Sequence, residues 1–312
     1  MGIKLSKINF AYYVPKSLKK PVLFTLKDIN LNINSYDEFI AIVGHTGSGK
    51  STLVQLLNAL KFPSSGTINI NDEYIINKEV NVKNINSKKY RKALIKNPKL
   101  KFKLKPLRRN TGLVFQFPEY QLFEETVLKD IMFAPKNFLK DEKLAEEKAR
   151  HVSEIIGITD LLDKSPFSLS GGQMRKVAIA GILAADPEVL VLDEPTVGLD
   201  PIAKKELLEL LKDLNETYHK TIIIITHDMD VVSEYIKRVV VLKQGQLMYD
   251  GTKEELFKQE QLVNDCNLGL PTIVKVLKKL KTKLNININE YQYNIGDAYK
   301  EIIKVVGECH EW

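Results

Sequence analysis

Apolar residues along this chain recur with two different periods, and each change of period marks a new element. Residues 4–10 and the run FTLKDINLNI (24–33) alternate apolar with polar side chains, which predicts two half-buried strands joined by the turn-rich VPKSLKKP. Residues 39–43 (FIAIV) read as a short buried strand. It runs straight into GHTGSGKST, after which Leu53, Leu56, Leu57 and Leu60 follow at helical spacing. PSSG (63–66) ends that helix, and 67–70 and 112–117 return to a strand pattern. From 124 to about 185 the spacing is helical. Asp141 is placed to cap a helix whose apolar face is Leu144, Ala145, Ala149, Val152, Ile155 and Ile156, and a second helix begins near Ser170 and stops before Pro187. Then VLVLD, a helix over 203–214, TIIIITH, a helix over 229–236 and VVVLK succeed one another. Val/Ile-rich strands alternating with helices predict a parallel sheet covered on both faces. Past Gly251 a small helical tail is expected, with Pro271 opening a helix over 273–280.

Composition narrows the class. The 312 residues are 44% hydrophobic and 27% charged, an ordinary globular balance with room for about two domains. No apolar run approaches the ~18 residues of a membrane span. Cys266 and Cys309 are too few for a disulfide framework, and the opening MGIKLSKINF lacks the apolar stretch of a signal peptide. MGIKLS matches the N-myristoylation pattern but overlaps the first predicted strand, so the expectation is a reducing cytosol. The net charge of +7 is uneven: residues 77–109 hold thirteen Lys or Arg against one acid, Glu79, a local +12 that leaves −5 for the rest. This argues against a uniformly basic nucleic-acid binder. The insert lacks a sustained apolar period, which predicts a solvated, mobile loop; its alternative use is attraction to anionic lipid headgroups.

Three constellations carry chemistry. Gly44, His45, Thr46, Gly47, Ser48, Gly49, Lys50, Ser51 and Thr52 fit the P-loop pattern between a strand and a helix. Glycines let backbone N–H groups close around phosphate oxygens at a helix N-terminus, Lys50 reaches the β- and γ-phosphates, and Ser51 offers a hydroxyl to Mg²⁺. VLVLDE ends an apolar strand in two acids, Asp193 for Mg²⁺ and Glu194 for activating a water; alone, it would be an acidic turn. Leu169 to Gln173 reads LSGGQ ahead of a long helix, a second anion-binding terminus or merely a capped turn. Two phosphate-type sites far apart in one chain suggest a site shared between two chains. No histidine spacing suggests a zinc site in His45, His151, His219 or His310.

In this order and spacing, the P-loop, LSGGQ and VLVLDEP resemble the nucleotide-binding subunit of an ABC transporter over about residues 3–250. The resemblance implies an α/β fold: a P-loop NTPase core of the ABC ATPase type with an antiparallel β-subdomain, a helical subdomain (about 118–185) and a small C-terminal extension (251–312). It implies ATP and Mg²⁺ as ligands, Gln116 as the Q-loop glutamine that also approaches the metal, Asp200 as the D-loop aspartate, and His227 as the switch histidine at the γ-phosphate. Tyr12 corresponds to the aromatic that stacks on adenine, with Tyr13 as fallback. Ser170, Gly171, Gly172 and Gln173 would serve ATP held by the other protomer.

A narrower resemblance is carried by FQFPEYQLFEETVLKDIMFAP, by GHTGSGKST and by the lysine-rich LKPLR (104–108). These are similar to the ATPases of energy-coupling factor importers, the CbiO-like group, in the second of two paralogues. That implies an ATP hydrolase powering uptake of vitamins or other micronutrients, and a C-terminal extension used in dimerisation. The expected partners are a paralogous ATPase or a second copy, a transmembrane coupling subunit and a solute-binding membrane subunit. No nucleic acid is expected, and the location is peripheral, on the cytoplasmic face of the cell membrane. Glu119, Glu124, Glu125 and Asp130 make 116–130 acidic enough to meet basic coupling arms. Met174 departs from the polar residue usual after the signature. The alternatives are a dedicated cobalt or nickel importer ATPase and a soluble ABC-type ATPase acting on nucleic acid or ribosomes.

Overall fold

Strands β1 (Ile3–Phe10), β2 (Leu26–Ile33) and β3 (Phe39–Val43) precede helix α1 (Lys50–Leu57) in the computed structural model, which describes residues 2–33, 37–80 and 87–308. β4 (Ser65–Ile70) and β5 (Tyr74–Lys78) follow, then α2 (Lys88–Ile95), α3 (Leu104–Asn110) and β6 (Thr111–Val114). Helices α4 (Val127–Leu139), α5 (Glu142–Ile156) and α6 (Gly171–Leu183) lead to β7 (Val189–Asp193), α7 (Pro201–Glu216), β8 (Thr221–Ile225), α8 (Met229–Tyr235) and β9 (Arg238–Lys243). The chain closes with β10 (Gln246–Thr252), α9 (Lys253–Lys258), α10 (Glu260–Asp265), α11 (Thr272–Leu284) and α12 (Ile295–Glu308).

The central sheet has the order β10-β9-β3-β8-β7-β6. From β9 to β6 every neighbouring pair is parallel, as the Val/Ile-rich runs predict. The period of two divides its side chains between two cores. Ile40, Ile42, Val189 and Val191 pack with Leu53 and Leu56 of α1 and with the second sheet, while Ala41, Val43, Leu190 and Leu192 pack with α4 to α7. Each fully buried Val, Leu or Ile contributes about 1.5–3 kcal/mol, so this double-faced sheet is the main source of stability.

The expected all-parallel sheet needs one correction. β10 is antiparallel to β9, a half-exposed edge strand whose continuous apolar signal is too weak to read in sequence. Its hairpin turns on Gly245, at φ 80, where a Cβ would lie 2.2 Å from the Thr25 carbonyl oxygen. A side chain there would push the hairpin off the second sheet.

That second sheet is four-stranded and antiparallel, in the order β2-β1-β4-β5. β5 lies where the sequence predicts only the start of a basic loop. Correspondingly, the insert is not a solvated loop over its described residues. α2 and α3 fold onto the chain, with Leu94 and Leu107 buried, Leu100, Phe102 and Leu104 packed against the core between the two sheets, and the Phe102 ring edge-on to Tyr74. Spaced irregularly, these apolar residues do not repeat at one period, so they escape a periodicity test. Residues 81–86, the middle of the insert, lie outside the described residues, as do Cys309 and His310.

Helix caps follow the sequence closely. Asp141 accepts from Leu144 N at 3.1 Å, and Ser170 with Gln173 forms a reciprocal capping box at α6. α11 is tied to α8 by Thr272, whose N–H and hydroxyl both donate to the Asp230 carboxylate at 2.6 and 2.7 Å. No helix among the described residues is long and apolar enough to cross a membrane.

Lys78 anchors the insert. Its ammonium is buried and donates to the Leu94 carbonyl at 2.7 Å, and burial pushes its pKa down to about 8. An unfolded lysine holds its proton to about 10.4, so between those values the unfolded chain binds more protons and stability rises with pH. The cost is fully present below about 8 and is relieved as pH climbs towards 10.5. We expect the urea midpoint of the wild type to rise relative to Lys78→Met over that window; parallel pH profiles would refute the assignment.

Candidate functional site

The phosphate-binding loop begins where β3 ends. Gly44 has φ 146, and a Cβ on it would lie 2.1 Å from the Leu242 carbonyl of β9, so only glycine lets the loop leave the sheet here. Gly49 caps α1 in the left-handed region, and Ser48 N donates to His45 O at 3.1 Å. No acid stands in the first turn of α1, whose free N–H groups and dipole favour an anion. Lys50 Nζ donates to the carbonyls of Gly44 and His45, at 2.6 and 3.1 Å, which holds it over the loop. Burial pulls its pKa down, while Glu194 and Asp193 pull it up.

Both acids arrive on the neighbouring strands. β7 ends at Asp193, opposite Ile225 of β8, and Asp193 accepts a hydrogen bond from Ser51. Burial raises its pKa, opposed by Ser51 and by Lys50. Glu194 turns out of the strand at φ 51, a left-handed conformation that costs a non-glycine residue energy and that its N–H secures by donating to Ile225 O at 3.0 Å. The turn carries its carboxylate to His227, whose Nδ1 lies 2.9 and 3.0 Å from the two oxygens. An ionised carboxylate only accepts, so Nδ1 is the donor in this contact, and Nε2 is not engaged by Glu194.

Gln116 lies two residues beyond β6, on the same edge of the sheet. Tyr12 follows β1; its hydroxyl is 2.9 Å from Thr52 Oγ1, its ring meets Phe10 edge-on and Lys61 Nζ lies 4.6 Å from its centroid. Tyr12, Thr46, Gly47, Gly49, Lys50, Ser51, Thr52, Gln116, Asp193, Glu194 and His227 line one cleft of about 510 Å³. Gly44, His45 and Ser48 belong to the loop that forms its floor. Tyr13 is 70% exposed and is not part of the lining.

Five of the residues singled out in the sequence lie elsewhere. Ser170, Gly172, Gln173 and Asp200 line a second cleft of about 400 Å³, which shares no residue with the first. Gly171 opens α6 there, with nothing within 4 Å of where its Cβ would be. A Cβ added at Gly172 would lie 3.3 Å from the Ala203 Cβ, and Asp200 caps α7 by accepting from Ile202 N and Ala203 N.

Sequence reasoning passes over Arg175, which links these parts. It is buried in α6 and pairs with Glu119 at 2.8 Å, while its other nitrogen donates to Pro195 O and Val197 O, just past Glu194. A lone arginine on an otherwise apolar helix face was the available signal. Three of the four acids named in 116–130 have partners within the chain. Glu119 is consumed by Arg175, Asp130 is buried and accepts from Phe123 N and Glu124 N, and Glu125 pairs with Lys129. Two aromatic side chains of that segment, Tyr120 and Phe123, are exposed, and Phe133 of α4 is exposed beside Phe123.

A nucleotide-sized cleft on a phosphate loop, closed by strand-end acids, beside a separate serine-glycine helix start, defines an ATP-binding cassette. The ABC transporter family model matches residues 26–197, and the chain belongs to that family. Within it, this is an ATP-hydrolysing subunit of an energy-coupling factor importer. The chain is 44% identical to the energy-coupling factor transporter ATP-binding protein EcfA2 of Ligilactobacillus salivarius, over 98% of both chains. It is also 44% identical to that of Enterococcus faecalis, over 100% of this chain and 99% of the other. Among solved structures, cbiO1 of Clostridium perfringens, described as part of the ABC transporter complex cbiONQ, superposes with a TM-score of 0.66 at 34% identity, covering 91% of this chain and 95% of that one. MJ0796, an ATP-binding cassette seen as a dimer with ADP and Pi, gives 0.62 at 27% identity, over 80% and 98%.

Arg175→Ala removes one partner of a buried pair and leaves Glu119 uncompensated. We expect a loss of about 3–5 kcal/mol in stability from the urea midpoint. A loss well under 1 kcal/mol would mean that the link carries no load.

Proposed function

We propose that the chain binds Mg–ATP in the first cleft and presents Ser170, Gly171, Gly172, Gln173 and Asp200 to a nucleotide held by a second ATPase chain. The observation that carries this reading is the separation of the two clefts: a glycine-bearing helix start opens on each, and they share no lining residue. Two chains related head to tail bring each phosphate loop against the other's signature. Identity to EcfA2 relatives along the whole chain favours a paralogous ATPase as the partner over a second copy.

ATP is the substrate. Lys50 and the N–H groups of the loop hold its phosphates, and the left-handed turn at Glu194 aims a carboxylate at the water that attacks the γ-phosphoryl group. Glu194 takes a proton from that water as the new P–O bond forms and the bond to the β-phosphate oxygen breaks, while His227, oriented by Glu194, faces the charge developing on phosphate. The Ser51 hydroxyl, the Gln116 amide oxygen and the Asp193 carboxylate are hard oxygen donors of the kind Mg²⁺ takes, and the half-buried Asp193 gains a counter-charge from it. When bound, Mg²⁺ neutralises charge on the phosphates. The remaining catalysis is electrostatic, through Lys50 and the partner's signature N–H groups.

Membrane attachment then comes from a transmembrane coupling subunit, which sits against 116–130 on the cytoplasmic face, with the exposed Tyr120 and Phe123, and Phe133 beside the latter, as its apolar contact. Closure of the two ATPases moves that subunit, and a separate membrane subunit supplies the solute, a vitamin or other micronutrient. The extension from 251 onward contributes to the ATPase pairing.

Glu194→Gln keeps the shape of the side chain and removes the proton acceptor. Turnover of the purified complex is expected to fall about 10²–10⁴-fold with ATP binding retained, and the variant to accumulate as a closed dimer. Wild-type turnover would sink the assignment. Sharing in trans has its own test: in a complex where this chain carries Gly171→Asp and its partner ATPase is intact, ATP bound on the partner should be hydrolysed at well under a tenth of the normal rate, while the site on this chain's own phosphate loop still binds ATP. Undiminished hydrolysis on the partner would refute it.

A further inference from the structure

The insert touches the nucleotide cleft indirectly, through one side chain. Arg91, on α2, is 6% exposed, yet among the described residues no carboxylate pairs with it. Its guanidinium donates instead to four backbone carbonyls of a single loop. Nη1 reaches Pro15 O at 2.5 Å and Ser17 O at 2.6 Å, and Nη2 reaches Lys20 O at 2.8 Å and Leu18 O at 3.4 Å. Only the rigid, five-donor fork of arginine can gather carbonyls over six consecutive residues in this way; an ammonium is a single point.

The gathered loop runs from β1 to β2, and Tyr12 stands near its start, two residues after β1. Inside it the backbone makes a turn bond from Lys20 N to Ser17 O and closes from Thr25 N to Phe10 O. Tyr12 is 60% exposed and leans on Thr52, Phe10 and Lys61 without being enclosed. The far side of the clamp is firm, because Lys78 of β5 holds the Leu94 carbonyl of the same helix. A chain of contacts therefore runs from the second sheet through α2 to the stretch that bears Tyr12. The insert's cations do not all point to solvent or to an anionic surface: this one is spent within the chain.

We propose that Arg91 is a positioning residue for adenine recognition, whose guanidinium holds the 15–20 loop so that the Tyr12 ring stays over the mouth of the nucleotide cleft. The inference rests on the reading of Tyr12 as the platform for the adenine ring. Arg91 touches neither nucleotide nor phosphate loop. Its loss releases the loop to water, where the freed carbonyls are solvated, and widens the distribution of Tyr12 positions.

The test measures binding of ATP and of inorganic tripolyphosphate to the full chain, for wild type, Arg91→Ala, Arg91→Lys, Tyr12→Ala and the double variant Arg91→Ala/Tyr12→Ala. Stacking between rings is commonly worth roughly a two- to tenfold change in affinity. Arg91→Ala should weaken ATP by roughly that factor and leave tripolyphosphate unchanged, with Arg91→Lys between it and wild type. Because Arg91 acts through Tyr12, the double variant should bind ATP no more weakly than Tyr12→Ala alone. Equal weakening of ATP and tripolyphosphate by Arg91→Ala would show a general structural role and overturn the proposal. So would additive losses in the double variant, or unchanged ATP binding by Arg91→Ala when Tyr12→Ala does weaken it. If Tyr12→Ala leaves ATP binding intact, the platform reading itself is wrong and the inference goes with it.

Discussion

Parallel pairing of β6, β7, β8 and β3 is the constraint on which the site depends. Pairing runs Val114 to Leu192, Leu192 to Ile224, and Ile42 to Ile225, so four strands reach the same edge of the sheet together. Ligands of open parallel sheets collect beyond the carboxyl ends of the strands. Here the phosphate loop leaves β3, the two acids end β7, His227 follows β8 and Gln116 follows β6. A register slip of one residue in β7 would turn its apolar set to the wrong faces and withdraw Asp193 from Ser51. Core packing and active-site geometry are therefore the same requirement.

The acids illustrate how the fold pays for chemistry. Asp193 is desolvated by the strands around it, which alone disfavours its charge; Lys50, Ser51 and, in the proposed complex, a divalent cation restore the balance. Glu194 occupies a left-handed backbone conformation that no local preference supports. It is kept there by its bond to β8 and by the loop beyond it, itself tied through Pro195 and Val197 to Arg175. Arg175 also holds Glu119, so the segment proposed to meet the membrane partner and the turn that bears the proposed base share one buried guanidinium.

Buried cations recur as struts in this molecule. Arg175 takes one carboxylate and two carbonyls, Arg91 takes four carbonyls, and Lys78 takes one. Carbonyl oxygens satisfy a buried cation without adding a second charge, so they couple segments distant in sequence at a smaller desolvation cost than a buried ion pair. This is how α2, in the described part of the insert, is held between β5 and the 15–20 loop.

Much of the fold and of the site was legible in the sequence because it rests on local rules. The glycines of residues 44–49 answer to backbone geometry, the strands of the sheet to period two, and the caps Asp141 and Ser170 to unsatisfied N–H groups at helix starts. The family motifs further identified Gln116, His227 and Asp200, whose side chains alone carry no such signal. Other features lay beyond any local window. β5 and β10 are edge strands held by their neighbours, with too little continuous apolar character to be read by themselves. The insert's helices are set by scattered leucines that find one core only after the chain folds. Arg175, Arg91 and the internal pairing of Glu119 and Asp130 depend on partners 6 to 76 residues away. Local backbone preference and hydrophobic period belong to the sequence by itself; which buried charge meets which carbonyl is decided only when distant segments are brought within hydrogen-bond reach.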